Sequence, residues 1–200
     1  HPRFMHVAWL GNMLGFFVLS GFSALSPHLG ERLGLAPRQA IWLVCALFLA
    51  RGLSFAAFGW WEGWHYRRRW LAGAIILLPP ALATAFFSPR TGAVLAANVV
   101  MGVLMGLIYS SSLFYSLDIG ENKGEHGGLH EAMLGCGTLA GPLTGVAGAS
   151  LLPRLLGNAD MGGAAGAKLA ILGICVPAAA VAAGLVLAPA GIRASREQAR

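Results

Sequence analysis

The sequence predicts an all-α polytopic membrane protein with six transmembrane helices. Of its 200 residues, 56% are hydrophobic and only 11% charged, with mean hydropathy +0.67. A soluble domain carries about 25% charged residues and needs them to cover its surface. The apolar residues gather into six runs, each near the ~20 residues a helix needs to cross hydrocarbon. The charges fall mainly between those runs, most plainly in GWWEGWHYRRRW over 59–70.

That stretch sets the sidedness of the chain. Arg67, Arg68 and Arg69 stand together between two apolar segments. An Arg at bilayer depth costs roughly 2.5–3.5 kcal/mol on insertion scales, so three in a row belong in water. The positive-inside rule then turns this elbow toward the cytoplasm.

Taken in order, span one covers about 4–25, with His6 and Trp9 suited to the interface and Asn12 as its polar exception. A loop punctuated by Pro27 and Pro37 follows. Span two, about 40–61, carries Arg51 near its middle. Span three, about 71–87, contains Pro79 and Pro80, which should kink it by removing backbone donors. After the turn SPRTG, span four runs over about 93–116. Its second half places Tyr109, Ser112, Tyr115 and Ser116 at helical spacing, a polar face on an apolar helix. Span five, about 132–152, is rich in small residues, and span six covers about 169–188. The six spans form one bundle over 1–192, and 193–200 reads as a polar cytoplasmic tail.

The remaining cations agree with this orientation. Arg3, Arg67, Arg68, Arg69, Lys123, Arg193, Arg196 and Arg200 fall inside, and Arg32, Arg38, Arg90, Arg154 and Lys168 outside. Eight against five puts both termini in the cytoplasm, and the arginine triplet supplies the margin. The net charge of +6 and pI near 9.9 therefore read as topology rather than as a nucleic-acid surface. Cys45, Cys136 and Cys175 each lie within an apolar run without a CxxC partner, so they read as core residues, not as a disulfide or zinc framework. The chain opens on His1 and shows no cleavable signal peptide; it reads as part of something longer.

A second motif lies in span five. Gly137, Gly141 and Gly145 recur every four residues, and Pro142 bends the same place. Such a stripe lets two helix backbones approach closely. Together with six spans and a basic turn after the second, this resembles one half of a major facilitator superfamily transporter over essentially the whole chain. That family's turn reads Gly-x-x-x-Asp-x-x-Gly-Arg-Arg. Aligned on Gly59, its basic positions fall on Arg67, Arg68 and Arg69. The acidic position falls on Gly63, with Glu62 one place early, and the second glycine on Tyr66. The span-five run is similar to the family's Gly-x-x-x-Gly-Pro-x-x-Gly. The degenerate turn and short polar tail favour the C-terminal half.

The resemblance implies a second six-helix half as partner and a small solute bound between the halves near the midplane. It also implies a cytoplasmic (inner) membrane location and coupling to a proton or another ion. Neither the substrate nor the direction of transport is legible in the sequence.

Arg51 is the sharpest single signal, because a membrane Arg faces a bundle interior or wet cavity and needs a partner. It reads as a substrate-anion or coupling-site cation, or as a structural Arg satisfied by carbonyls or by a carboxylate of the other half. Asn12 and Asn98 suit interhelical hydrogen bonds or substrate contact, and Tyr109, Ser112 and Tyr115 suit a cavity wall or a gate. In HGGLHE, His126 and His130 are four apart, but Gly127 and Gly128 argue against a stiff helix and no second ligand cluster exists. The segment is expected to be a loop leading into helix five, with Glu131 near its positive end as a candidate coupling carboxylate.

No metal or cofactor is called for. An intramembrane serine hydrolase would need a serine in a tight Gly-x-Ser context paired with a histidine on another helix, and the histidines cluster at span ends and in loops. An enzyme is therefore not expected. A non-transporting scaffold or receptor of the same fold stands as the other alternative.

Overall fold

A computed structural model describes residues 2–118, 123–158 and 161–188. Its helices are α1 (Pro2–Arg32), α2 (Pro37–Trp60), α3 (Arg68–Phe87), α4 (Thr91–Asp118), α5 (Lys123–Leu155) and α6 (Gly163–Leu187). A short 3-10 turn, Glu62–Trp64, joins α2 to α3, and no strand occurs among the described residues. All six helices are long and apolar enough to cross a membrane. Backbone polar groups satisfied within each helix are what a bilayer demands. Arg193, Arg196 and Arg200 and the tail they define lie outside the described residues.

The helix ends explain where the expected spans were too short. α1 runs on past Pro27 to Arg32. Proline removes the N–H that would bond the carbonyl four residues back, here that of Ser23. The Ser26 hydroxyl donates to that same carbonyl at 2.8 Å, so the helix continues. It stops at Gly34, whose φ of +63° permits a Schellman cap: Leu35 N–H reaches the Gly30 carbonyl and Gly34 N–H that of Glu31. α5 ends the same way at Gly157, with φ +62°, Asn158 N–H bonding Pro153 and Gly157 N–H bonding Arg154. Pro37 opens α2 at its first turn, where no N–H is needed, and the Ala36 N–H donates to Gln39 Oε1 at 3.0 Å. Pro79 and Pro80 lie inside a helix that runs unbroken from Arg68 to Phe87.

α5 begins at Lys123, nine residues before the expected start of span five, and carries Gly127 and Gly128 within it. HGGLHE is thus helical and not a loop, and Glu131 sits in the third turn of α5 rather than near its N-terminus. Glu125 takes the first-turn position beside the helix dipole. Lys168, assigned to a loop from sequence, belongs to α6 and is buried.

Packing orders the bundle. α1 runs through the middle, touching all five other helices. α2 packs on α4, α5 on α1 and α6, and α3 between α4 and α6. α2 and α5 are the least buried helices, flanking α1 and α4 on either side. Arg32 Nη2 donates to the Ala85 carbonyl at 3.1 Å, tying the C-terminal ends of α1 and α3 to one side. Trp9 Nε1 donates to Ser116 Oγ at 2.7 Å, bringing the start of α1 to the end of α4 on the other. Successive helices therefore alternate in direction. Leu139, Leu143 and Val146 of α5 are 66–70% exposed, an apolar face suited to lipid or another protein.

Candidate functional site

Two glycine contacts set the spacing around the centre. On α4, Gly102 and Gly106 stand four residues apart against Ala50 and Ser54 of α2. A Cβ on Gly102 would lie 2.9 Å from Ala50 Cβ and 3.0 Å from the Arg51 nitrogen, and would run into the Leu47 carbonyl. A Cβ on Gly106 would meet Ser54 Cβ at 2.9 Å and the Arg51 carbonyl at 3.3 Å. One turn earlier, Asn98 Nδ2 donates to the Leu43 carbonyl at 2.8 Å. Asn98 is fully buried and ties two helices together, with its Oδ1 left without a hydrogen-bond partner. The sequence carries this signal as Gly-x-x-x-Gly over 102–106 against Ala-x-x-x-Ser over 50–54, a pairing that only the register of the two helices reveals.

The span-five glycines do not act as one face. Gly137 and Gly141 meet α1, where a Cβ on Gly137 would lie 3.0 Å from the Phe17 nitrogen and one on Gly141 2.7 Å from the Gly21 nitrogen. Gly145 turns to α6 and has ordinary room, with Ile171 Cδ1 at 3.6 Å. Pro142, next to Gly141, lies inside a continuous α5.

These contacts hold Arg51 against an aromatic cage. Its Cζ lies 4.6 Å from the Phe16 ring centroid, 5.3 Å from Phe55 and 5.7 Å from Tyr109. Three helices supply the rings: α1, α2 and α4. Ring quadrupoles attract a cation, by about 2 kcal/mol or more where water is excluded. They offer no acceptor for its N–H groups. Arg51 Nε is buried without a hydrogen-bond partner, and no carboxylate pairs with Arg51 among the described residues. Phe55, one turn after Arg51, was readable from spacing; Phe16 was not.

Beyond Tyr109 lies a buried polar file. The His130 ring packs against Tyr109 with centroids 5.2 Å apart. His130 Nδ1 is 2.8 Å from Ser112 Oγ, and the Ser116 hydroxyl donates to the Ser112 carbonyl at 2.7 Å. Trp9 then bonds Ser116 and packs on His126, ring centroids 5.8 Å apart. His130 is 1% exposed and its Nε2 has no partner. Asn12 is also 1% exposed, with Nδ2 unpartnered. On α1, Asn12 falls between Trp9, which meets Ser116, and Phe16, which packs on Tyr109 at 6.3 Å. The antiparallel register therefore sets Asn12 level with Ser112.

His130 was expected in a loop because its helix was placed too late, and its pairing with Ser112 across two helices leaves no trace in spacing. Ser112 and His130 have the residue types of a nucleophile and base. Ser112 is fully buried, and no acidic group orients the imidazole among the described residues. Glu131, next to His130 in the chain, is exposed and makes no hydrogen bond to the file. No group of three or more metal-ligating side chains occurs among the described residues.

Tyr115 belongs to a different structure. Its hydroxyl accepts the Tyr66 N–H at 3.1 Å, while the Tyr66 hydroxyl bonds Asp118. His65 stacks on Phe114 at 3.9 Å and 11°, and Trp64 Nε1 donates to the Phe58 carbonyl at 3.0 Å. The arginine elbow is thereby pinned to the end of α4. Arg67, Arg68, Arg69, Gly59 and Glu62 are all exposed around it. Tyr66 holds φ +53°, a left-handed backbone at the position aligned with a glycine above.

No family model, curated protein or solved structure matches the chain.

Proposed function

We propose that this chain is one six-helix half of a secondary transporter of a small solute. The halves rock about a site between them near the bilayer midplane. In this reading Arg51 faces that site. The observation that carries it is the caged guanidinium, held between α1, α2 and α4 with a buried Nε–H that nothing accepts. A membrane Arg without a carboxylate is costly, and such residues mark solute or ion pathways.

The arginine elbow and the span-five glycines, which resemble the major facilitator pattern, support the same reading. We assign the chain to the C-terminal half, with both ends in the cytoplasm and the bundle in the inner membrane. The partner is the other half, and the coupling ion is a proton or a small cation.

The test is solute flux into proteoliposomes of the full-length protein, wild type against Arg51→Ala at equal inserted amounts. Loss of flux with normal insertion is expected. Undiminished flux in Arg51→Ala removes Arg51 from the site, and an absence of any solute flux in wild type leaves a scaffold or receptor of the same fold. Ser112 and His130 favour a second reading as a hydrolase only should Ser112 react with a fluorophosphonate probe, which its burial argues against.

A further inference from the structure

Three of the buried polar atoms without a partner gather near Tyr109; Asn98 Oδ1 and His126 Nδ1, also without a partner, lie further along α4 and α5. Asn12 Nδ2 and Arg51 Nε can only donate. His130 Nε2 joins them by elimination. Ser112 Oγ has His130 Nδ1 as its hydrogen-bond partner, and a buried hydroxyl proton needs an acceptor. The hydroxyl therefore donates to Nδ1, and the imidazole proton sits on Nε2. Three helices thus present unpaired N–H groups around Tyr109.

Buried donors without acceptors favour an anion, and Arg51 adds the full charge. Its planar fork fits a carboxylate through two parallel hydrogen bonds. Arg51 is the fifteenth of 24 residues in α2, about 21 Å from its start and about 13.5 Å from its end at 1.5 Å per residue, so it stands near mid-span rather than at headgroup level. Arg51 and Tyr109 are half-buried, so the group is open on one side, while Asn12 and His130 close the other.

From this arrangement we infer that the solute is a compact carboxylate, bound by Arg51 and positioned by His130 and Asn12. The inference rests on the transporter reading and narrows it to a substrate class. Phe16, Phe55 and Tyr109 wall the same space, so a carboxylate with an apolar or aromatic body fits better than a highly hydroxylated one.

The test uses the full-length protein in nanodiscs and follows thermal unfolding with added acetate, benzoate or citrate. Benzyl alcohol and benzylamine serve as neutral and cationic matches to benzoate. A ligand at free concentration L that binds only the folded state stabilises it by RT ln(1 + L/Kd), so the melting temperature climbs with the logarithm of ligand concentration above Kd. Benzoate is expected to stabilise and its two analogues are not. Arg51→Gln should weaken apparent benzoate affinity roughly 10- to 100-fold, the value of hydrogen bonds to a charged group. His130→Gln should weaken it about 3- to 10-fold.

Silence toward all three carboxylates, or equal stabilisation by benzyl alcohol, overturns the assignment on wild-type protein alone. Unchanged benzoate affinity in a folded Arg51→Gln protein overturns it too. Flux of a neutral or cationic solute through proteoliposomes that ignore carboxylates refutes the substrate class and leaves the transporter intact. Carboxylate binding without flux does the reverse.

Discussion

Replacing Gly102 by alanine should loosen the seam that positions Arg51. The new Cβ would stand 2.9 Å from Ala50 Cβ and 3.0 Å from the Arg51 nitrogen, besides striking the Leu47 carbonyl. Non-bonded carbons rest at about 3.5–4.0 Å, so α2 and α4 must part by roughly 0.5–1 Å. Two of the three obstacles are backbone atoms, which no rotamer change can move. Overpacking of this kind costs about 1–3 kcal/mol. Alanine regains about 0.5–1 kcal/mol of helix propensity over glycine. The net expectation is a loss of about 1–2 kcal/mol.

Gly73→Ala in α3 is the control, because a Cβ there meets nothing within 4 Å. It should gain the propensity term, about 0.5–1 kcal/mol, leaving the two variants about 2 kcal/mol apart. Reversible unfolding of the full-length protein in mixed micelles measures this gap. Equal stability of Gly102→Ala and Gly73→Ala would refute the account of the seam.

Two further substitutions test the elbow and the amide tie. Tyr66 has a left-handed backbone, so Tyr66→Gly should be more stable than Tyr66→Ala by about 1 kcal/mol in the same unfolding assay; the opposite order would mean the turn relaxes on substitution. Asn98→Leu removes one interhelical hydrogen bond and should cost about 0.6–2 kcal/mol, with flux retained; abolished flux in a stable Asn98→Leu protein would place Asn98 in the solute path after all.

The reach of the sequence followed the range of the forces involved. Six spans and the arginine elbow were legible because hydropathy and charge act locally. Span ends were misjudged where a proline or glycine pair was read as a break. At Pro27 a neighbouring serine fills the lost bond, and at Gly127 and Gly128 the flanking His126 and His130 pack on α1 and α4. Local propensity gave way to tertiary contact in both places. Arg51 was visible as a lone charge in an apolar run. Its cage was only half visible, since Phe55 shares its helix while Phe16 and Tyr109 arrive from others. The Ser112–His130 pair joins two helices whose register the sequence leaves open.

The alternation of six crossings underlies every placement made above. Cysteine labelling of the full-length protein reads it directly: Arg68→Cys and Arg90→Cys, each in a background with Cys45, Cys136 and Cys175 replaced by serine, probed with a membrane-impermeant maleimide. Position 68 should label only from the cytoplasmic face of inverted vesicles, and position 90 only from the outside of intact cells. Labelling of both positions from the same face would contradict the account.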